Sequence, residues 1–349
     1  MTDQIEFNVW NKWDPLKTCI IGSSINPDYF EHVKNKELKD KLTKMLIETQ
    51  EDMNYFADVL RQHQVHVIQE QCNPDDRLHP DVKADRRHMV NLYPRDRAAV
   101  LGNQFVFDNI VTARQMHKYT GKTINESRKE PWAKLMKVNG VEYNLYMPSW
   151  TMVGTDLFID AHDILTGFTG KDKIINWVEQ HIPSTKVHWL EIGGHTDGTF
   201  HTCKPGVIIS LYDIQKYEET FPNWDVLYLP DQSWGKTHSF LDAKKKNMGK
   251  WWMPGEENNK QMTEFVNTWL DEWLGYVEET VFDVNIIMIN ERTACMTAYH
   301  KEVFDYFKKH KIEPIIVPLR HRYFWDGGLH CSSCDINRTG DQQSYINYT

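Results

Sequence analysis

His300-Lys301-Glu302-Val303-Phe304-Asp305-Tyr306-Phe307-Lys308-Lys309, leading on to Pro314-Ile315-Ile316-Val317-Pro318, is the stretch from which the fold is read. Apolar residues at helical spacing are followed by a short β-branched run, a helix and then a strand. The same order occurs twice more. A helix with Leu42, Leu46, Met53, Phe56 and Leu60 on one face leads into Val65-His66-Val67-Ile68, and Lys171 to His181 leads into Lys186-Val187-His188-Trp189-Leu190. Between these lie strand pairs with turn signals. Asn139-Gly140 predicts a type I′ hairpin. Lys204-Pro205-Gly206 turns into Val207-Ile208-Ile209-Ser210-Leu211, and Val284 to Ile289 reads as a buried strand. The longest turn-rich stretch, Asn73 to Pro80, is short, and no low-complexity linker divides the chain. One domain spanning residues 1–349 is expected, built of small mixed α/β modules in a radial arrangement, with a doubly wound sheet as the alternative.

Composition bounds the function. With 349 residues, 40% hydrophobic and 26% charged, the chain has the make-up of a globular protein with a large core. A net charge of -9 argues against nucleic acid as the main partner and suits a small cationic substrate. No apolar run reaches membrane-spanning length, and Met1-Thr2-Asp3-Gln4 reads as neither a signal nor a transit peptide. Six cysteines are too few for a disulfide framework. A cytoplasmic protein with no membrane partner is expected.

The run Gly327-Gly328-Leu329-His330-Cys331-Ser332-Ser333-Cys334-Asp335 carries the chemistry. Two glycines allow a sharp turn that presents Cys331, and a thiolate there is a nucleophile if a cation lowers its pKa. Cys331 and Cys334 also have the spacing of half a zinc site or a redox pair. Zinc needs two further ligands at recognisable spacing, and Cys203 and Cys295 stand alone. A redox pair belongs near the start of a βαβ unit, far from this C-terminal position. Gly193-Gly194-His195-Thr196-Asp197-Gly198 places a histidine and a carboxylate two apart, on one side of an extended segment. Gly154-Thr155-Asp156 sets a carboxylate at the mouth of an apolar strand, and Tyr93-Pro94-Arg95-Asp96 enters another. Each has a plain structural reading: a polar loop histidine, a turn aspartate, an Arg–Asp pair. Taken together, a thiol, a histidine and several carboxylates suit chemistry on a guanidino group. Carboxylates clamp its N–H groups, a thiolate attacks its central carbon, and a histidine moves the protons.

These residues resemble the amidinotransferases. Asn11-Lys12-Trp13-Asp14-Pro15-Leu16 is similar to the family's N-E-W-D-P-L opening, and Pro94-Arg95-Asp96 with Gly102-Asn103 to its P-R-D…G-N segment. Asp156 followed by Asp163-Ile164 resembles its A-A-D segment, and His195 to Phe200 its H-x-D-x-T-F motif. Gly327 to Asp335, with Gln343-Ser344-Tyr345, resembles its G-G-F-H-C-x-T-C-D…Q-S-Y tail. The resemblance implies a pentein fold, a five-bladed α/β propeller of ββαβ-type modules with pseudo-fivefold symmetry around a substrate channel. It implies Cys331 as the nucleophile, His195 as general acid and base, and Asp156 as its acidic partner. Asp96 and Asp197 would bind the cationic substrate, and Cys334 has no role. It implies L-arginine as donor, glycine or another primary amine as acceptor, no metal or nucleotide cofactor, and a homodimer by analogy. The pattern departs at Ile214, where the family has an arginine that pairs with the substrate carboxylate. Either Lys216 or Arg322 substitutes, or the substrate is anchored differently. A hydrolase of the same fold (a deiminase or dihydrolase) and a non-catalytic guanidino-binding protein are the alternatives.

Overall fold

A computed structural model describes residues 6–69, 92–107, 135–160, 171–229, 253–269 and 281–346, apart from 25, 32, 97, 139–140, 145–149, 191–194, 212, 254, 257 and 326. In chain order, β1 (Leu16–Ile21) is followed by a 3-10 turn at Pro27–Phe30, α1 (Lys36–Gln62) and β2 (His66–Ile68). A second 3-10 turn, Pro94–Asp96, precedes β3 (Ala98–Leu101) and β4 (Gln104–Phe107), and β5 (Leu135–Val138) pairs with β6 (Val141–Asn144). Next come β7 (Trp150–Val153), β8 (Asp156–Asp160), α2 (Lys171–His181) and β9 (Lys186–Leu190). A 3-10 turn at Thr196–Gly198 leads into β10 (Phe200–Lys204), β11 (Val207–Ser210), α3 (Tyr217–Thr220) and β12 (Asp225–Tyr228). The last portion holds α4 (Lys260–Trp269), α5 (Val281–Val284), β13 (Ile287–Asn290), β14 (Thr293–Met296), α6 (Lys301–Lys309) and β15 (Glu313–Ile316). It ends with α7 (Arg322–Trp325) and β16 (Ser333–Arg338).

Among the described residues, four three-stranded sheets share one plan: β7-β8-β9, β10-β11-β12, β13-β14-β15 and β16-β1-β2. The middle strand pairs antiparallel with the first-named and parallel with the last. A parallel pair needs a crossover, and a helix supplies it each time: α2, α3, α6 and α1. The helix-then-strand order is therefore the signature of the module. Middle strands β8, β11 and β14 are buried at every position, which accounts for their near-continuous apolar sequence, whereas the third strands β9, β12 and β15 are partly exposed.

Local chemistry sets the element ends. The Asn35 side chain caps α1 by accepting from the Leu38 N–H at 3.1 Å, and Leu38, Leu42, Met45, Leu46, Met53, Phe56 and Leu60 form its buried face. α6 buries Val303, Tyr306 and Phe307, carries Lys308 and Lys309 in its last turn, and stops before Lys311, whose φ is 58°. Between β7 and β8, Gly154 has φ 63°, the left-handed conformation that glycine adopts without strain.

The expected strand Val284–Ile289 differs in its start. Val284 ends α5, Asn285 and Ile286 form a bend, and the strand begins at Ile287. There the Asn285 side chain hydrogen-bonds both the Sγ and the N–H of Cys331. Asn139-Gly140 and the Asn73–Pro80 stretch lie outside the described residues, although β5 and β6 pair antiparallel around the former.

Candidate active site

One rule of topology gathers the site. Asp96 ends the turn before β3, Asp197 lies in the turn before β10, Asn285 just before β13, and Cys331 just before β16. Each comes from the segment that feeds the first-named strand of its sheet. Asp160 ends β8 at the corresponding end of its sheet, because β8 runs antiparallel to β7 and Ile159 lies opposite Trp150, the first residue of β7.

Cys331 sits in a helical turn held by the Ser332 N–H to the Gly328 carbonyl (3.1 Å), with the Ser332 and Ser333 hydroxyls donating to Gly328 and Leu329 carbonyls at 2.8 Å. Asn285 clamps it at two points. Its Nδ2 donates to Cys331 Sγ at 2.9 Å, and its Oδ1 accepts from the Cys331 N–H at 3.0 Å. That clamp requires close approach. A Cβ on Gly328 would stand 2.7 Å from Asn285 Oδ1 and 2.8 Å from its carbonyl oxygen. Asn285 therefore leaves the strand that the apolar run predicts.

Asp197 meets the thiol from the other side, with Oδ2 3.4 Å from Cys331 Sγ and 2.8 Å from His330 Nδ1. Burial works to raise the Asp197 pKa, but the His330 hydrogen bond and the nearby His195 and Lys12 charges outweigh it, and the carboxylate is held well below its usual range. Burial pushes His330 down to about 3, with Arg95 and Lys12 adding to the effect. His330 is thus neutral, and the ionised carboxylate assigns its proton to Nδ1.

Below this layer lies a floor of charge. Arg95 donates from Nε to the His330 carbonyl (2.8 Å) and from Nη2 to Asp335 (2.9 Å), and Arg338 donates from Nε to the other Asp335 oxygen at 2.7 Å. Arg338 also donates to the carbonyls of Asp14 (2.5 Å) and Met288 (2.8 Å). Although burial raises the Asp335 pKa, the two arginines hold it well down. Lys12 enters the floor from the segment ahead of β1. Its Nζ, both ring nitrogens of His201 and Nε2 of His330 are buried with no hydrogen-bond partner among the described residues. The His201 and His330 rings meet edge to face, centroids 5.6 Å apart.

The sequence candidates fare unequally. Cys331 and Asp197 are brought together. His195 is exposed at the start of the Thr196–Gly198 turn, near enough to Asp197 to act on its charge. Asp156 is committed elsewhere, its Oδ1 2.7 Å from His188 Nε2. It begins β8 beside Lys186, whereas the chain leaves β9 beside Asp160 on its way to His195. The structure thus sets Asp160, not Asp156, at the end of β8 from which the chain runs on to His195. Asp96 is placed by its backbone, and its side chain lies outside the described residues, as do Gly193-Gly194 and Asp163-Ile164. Ile214 packs on the apolar cluster of Trp13, Tyr217 and Phe221. Lys216 is exposed and pairs with Glu219 at 3.6 Å, and Arg322 Nη1 donates to the Leu319 carbonyl at 3.2 Å.

The two tail cysteines part company. Cys331 is 9% exposed, while Cys334, at 0%, turns its Sγ to the Ala98 carbonyl (3.3 Å) within an apolar cluster. Burial pushes the thiols of Cys295 and Cys334 up to about 12 and those of Cys19 and Cys203 up as well. Among the described residues all five cysteines are free, and no group of three His, Cys, Asp or Glu is placed to hold a metal. No described helix is long and apolar enough to cross a membrane. Sequence reading missed Asn285 and His330, which bond to Cys331 and Asp197 respectively. The signals were a polar residue inside an apolar run and a histidine beside the candidate nucleophile.

No protein-family model matches the chain. It is 23% identical over 203 residues to the L-arginine:L-lysine amidinotransferase of Pseudomonas savastanoi pv. phaseolicola, 56% of this chain and 45% of that protein, so it spans under half of that relative's length. The inosamine-phosphate amidinotransferase of Streptomyces griseus superposes with a TM-score of 0.61 at 14% identity, covering 98% of this chain and 100% of that one. Agmatine deiminase of C. jejuni, with substrate bound, superposes with a TM-score of 0.52 at 15% identity over 96% of this chain and 97% of that one. The chain is thus similar in sequence to amidinotransferases over about half its length, and similar in fold to the inosamine-phosphate amidinotransferase over nearly all of it.

Proposed function

We propose that the protein is a transferase that moves an amidino group from a guanidino donor to an amine through Cys331. The observation that carries this reading is the buried constellation in which Asn285 and Asp197 converge on one sulfur. The Cys331 thiolate adds to the central guanidino carbon, and the departing amine leaves with a proton from His195. The amidino group stays on sulfur until an incoming amine, deprotonated by His195, displaces it and restores the thiolate. Asp197, with Asp96 and Asp160, holds the N–H groups of the cation. Asp160 replaces Asp156 as the carboxylate that serves His195, on the strand polarity described above.

The repeated module supports the finer architecture. Among the described residues there are six sheets, four of three strands and the hairpins β3–β4 and β5–β6; we read the four and β3–β4 as five blades of one domain, with β5–β6 a hairpin outside the repeat. L-arginine is the first donor to test. Ile214 offers no charge to a donor carboxylate, so donors without one belong in the same panel. Glycine and other primary amines are the acceptors to screen.

Intact-protein mass spectrometry tests the reading. A guanidino donor should leave an amidino adduct on wild-type protein and none on Cys331→Ala; an unmodified wild type across a donor panel refutes it. The likeness to agmatine deiminase keeps hydrolysis as a second reading. Its signature is turnover of the donor with no amine acceptor present.

A further inference from the structure

Asn285 touches the sulfur, yet the proposed transfer assigns it no step. It interrupts an apolar run between Val284 and Ile286, both fully buried, and is itself 2% exposed. A buried amide is costly unless its polar atoms are used, and here they are. Oδ1 accepts from the Cys331 N–H at 3.0 Å, while Nδ2 donates to the Asp197 carbonyl at 3.3 Å and to Cys331 Sγ at 2.9 Å. The Asn285 carbonyl accepts from the His330 N–H at 3.4 Å. One residue thus joins the bend before β13 to the turns that feed β10 and β16. The approach depends on Gly328, where a Cβ would stand 2.7 Å from Asn285 Oδ1.

The two backbone partners fix which way the amide faces. The Cys331 N–H only donates and the Asp197 carbonyl only accepts, so Oδ1 lies toward the first and Nδ2 toward the second. The sulfur therefore receives an N–H and not the amide oxygen. Such a bond is stronger to a thiolate than to a thiol, the more so where water is excluded. On the other side, Asp197 Oδ2 stands 3.4 Å from Sγ, accepts from the thiol and repels the thiolate. His330, bonded to the same oxygen, is neutral, and His195, Lys12 and Arg95 act on that pair as charges. The sulfur thus has one contact that favours its proton and one that favours its loss.

We propose that Asn285 is a positioning residue for the Cys331 thiolate, its amide N–H holding the negative sulfur in place beside the Asp197 carboxylate. The inference rests on Cys331 being the nucleophile of the transfer. In the step concerned the S–H bond breaks, the proton passes to solvent and the electron pair stays on sulfur. Asn285 supplies a hydrogen bond and no proton.

Alkylation of Cys331 by iodoacetamide, followed across pH by peptide mass spectrometry, reads the thiolate without donor or acceptor. In Asn285→Ala the midpoint should rise by about one pH unit, a tenfold slower reaction at any pH below it. Asn285→Asp keeps the size and the acceptor but puts an oxygen where the N–H was, and its midpoint should rise at least as far. A variant that only loosens the fold lowers the urea midpoint and leaves the alkylation midpoint where it was. That result, with either variant, overturns the proposal. Should both fail to fold, Gly328→Ala displaces the amide with every polar group retained; a raised midpoint supports the proposal and an unchanged one overturns it. A midpoint that rises as expected in a protein that forms no amidino adduct leaves this inference standing and removes the transfer reading. An adduct together with an unchanged midpoint does the reverse.

Discussion

Replacing Lys12 by methionine should make the folded protein more stable at neutral pH. Burial lowers the Lys12 pKa from 10.5 to about 8, which means the folded state holds the charged form at a penalty. A lowering from 10.5 to about 8 corresponds to a penalty of about 3 kcal/mol. Between pH 8 and 10.5 the unfolded chain binds the proton that the folded chain has released, so wild-type stability rises with pH across that window. The penalty is complete below about pH 8 and gone above about pH 10.5. Methionine has similar length and no charge, so Lys12→Met should gain about 3 kcal/mol at pH 7. With roughly 2.1 cal/mol/K of unfolding entropy per residue, the gain in Tm is about 4–5 °C. Urea unfolding of both proteins at pH 7 and pH 10 measures it. The gap between them should shrink strongly at the higher pH. An equally stable or weaker variant at pH 7, or a gap that persists unchanged at pH 10, refutes the reasoning.

Two further outcomes follow from the same floor. Arg338→Met leaves Asp335 with Arg95 alone and strips donors from the Asp14 and Met288 carbonyls, so it should cost about 3–5 kcal/mol, read as a lower urea midpoint. Acid should destabilise the fold through His330, lowered from 6.5 to about 3: in that window the unfolded chain takes a proton that the folded chain refuses, and stability falls as pH falls. At pH 4.5 the His330 share is about 3 kcal/mol, and a His330→Gln variant should lose that part of the pH slope.

The modules were legible because each helix carries one apolar stripe and each strand after it a short branched run. Lys186–Leu190 and Lys301–Lys309 show how closely the period marks the elements. Boundaries failed where tertiary contacts compete with pattern. Asn285 breaks the run Val284–Ile289 because its amide is required at Cys331, and hydrophobicity carries no trace of that demand. Asp156 and Asp160 are four residues apart on one strand and share a face. Which of them lies at the end of β8 nearer the run to His195 depends on strand polarity and register, properties of pairing that the local sequence lacks. Lys12 was hidden for another reason. A charged residue in a polar turn reads as exposed, yet Lys12 is buried, and the charges that act on it, Asp197, Arg95 and Asp335, are all distant in the chain.

The sheet β16-β1-β2 has a consequence for the order of assembly. Ile20 lies opposite Cys334 and Ile21 opposite Ser333, so Cys331 is delivered by a segment made long after the strand that receives it. On the ribosome, β1 can pair with β2 through α1 while its other edge still awaits a partner. Such an edge invites pairing with other chains until β16 covers it. The strand that follows Cys331 is therefore also the strand that completes the sheet, and a chain unable to finish folding is a chain in which Cys331 never meets Asn285 and Asp197.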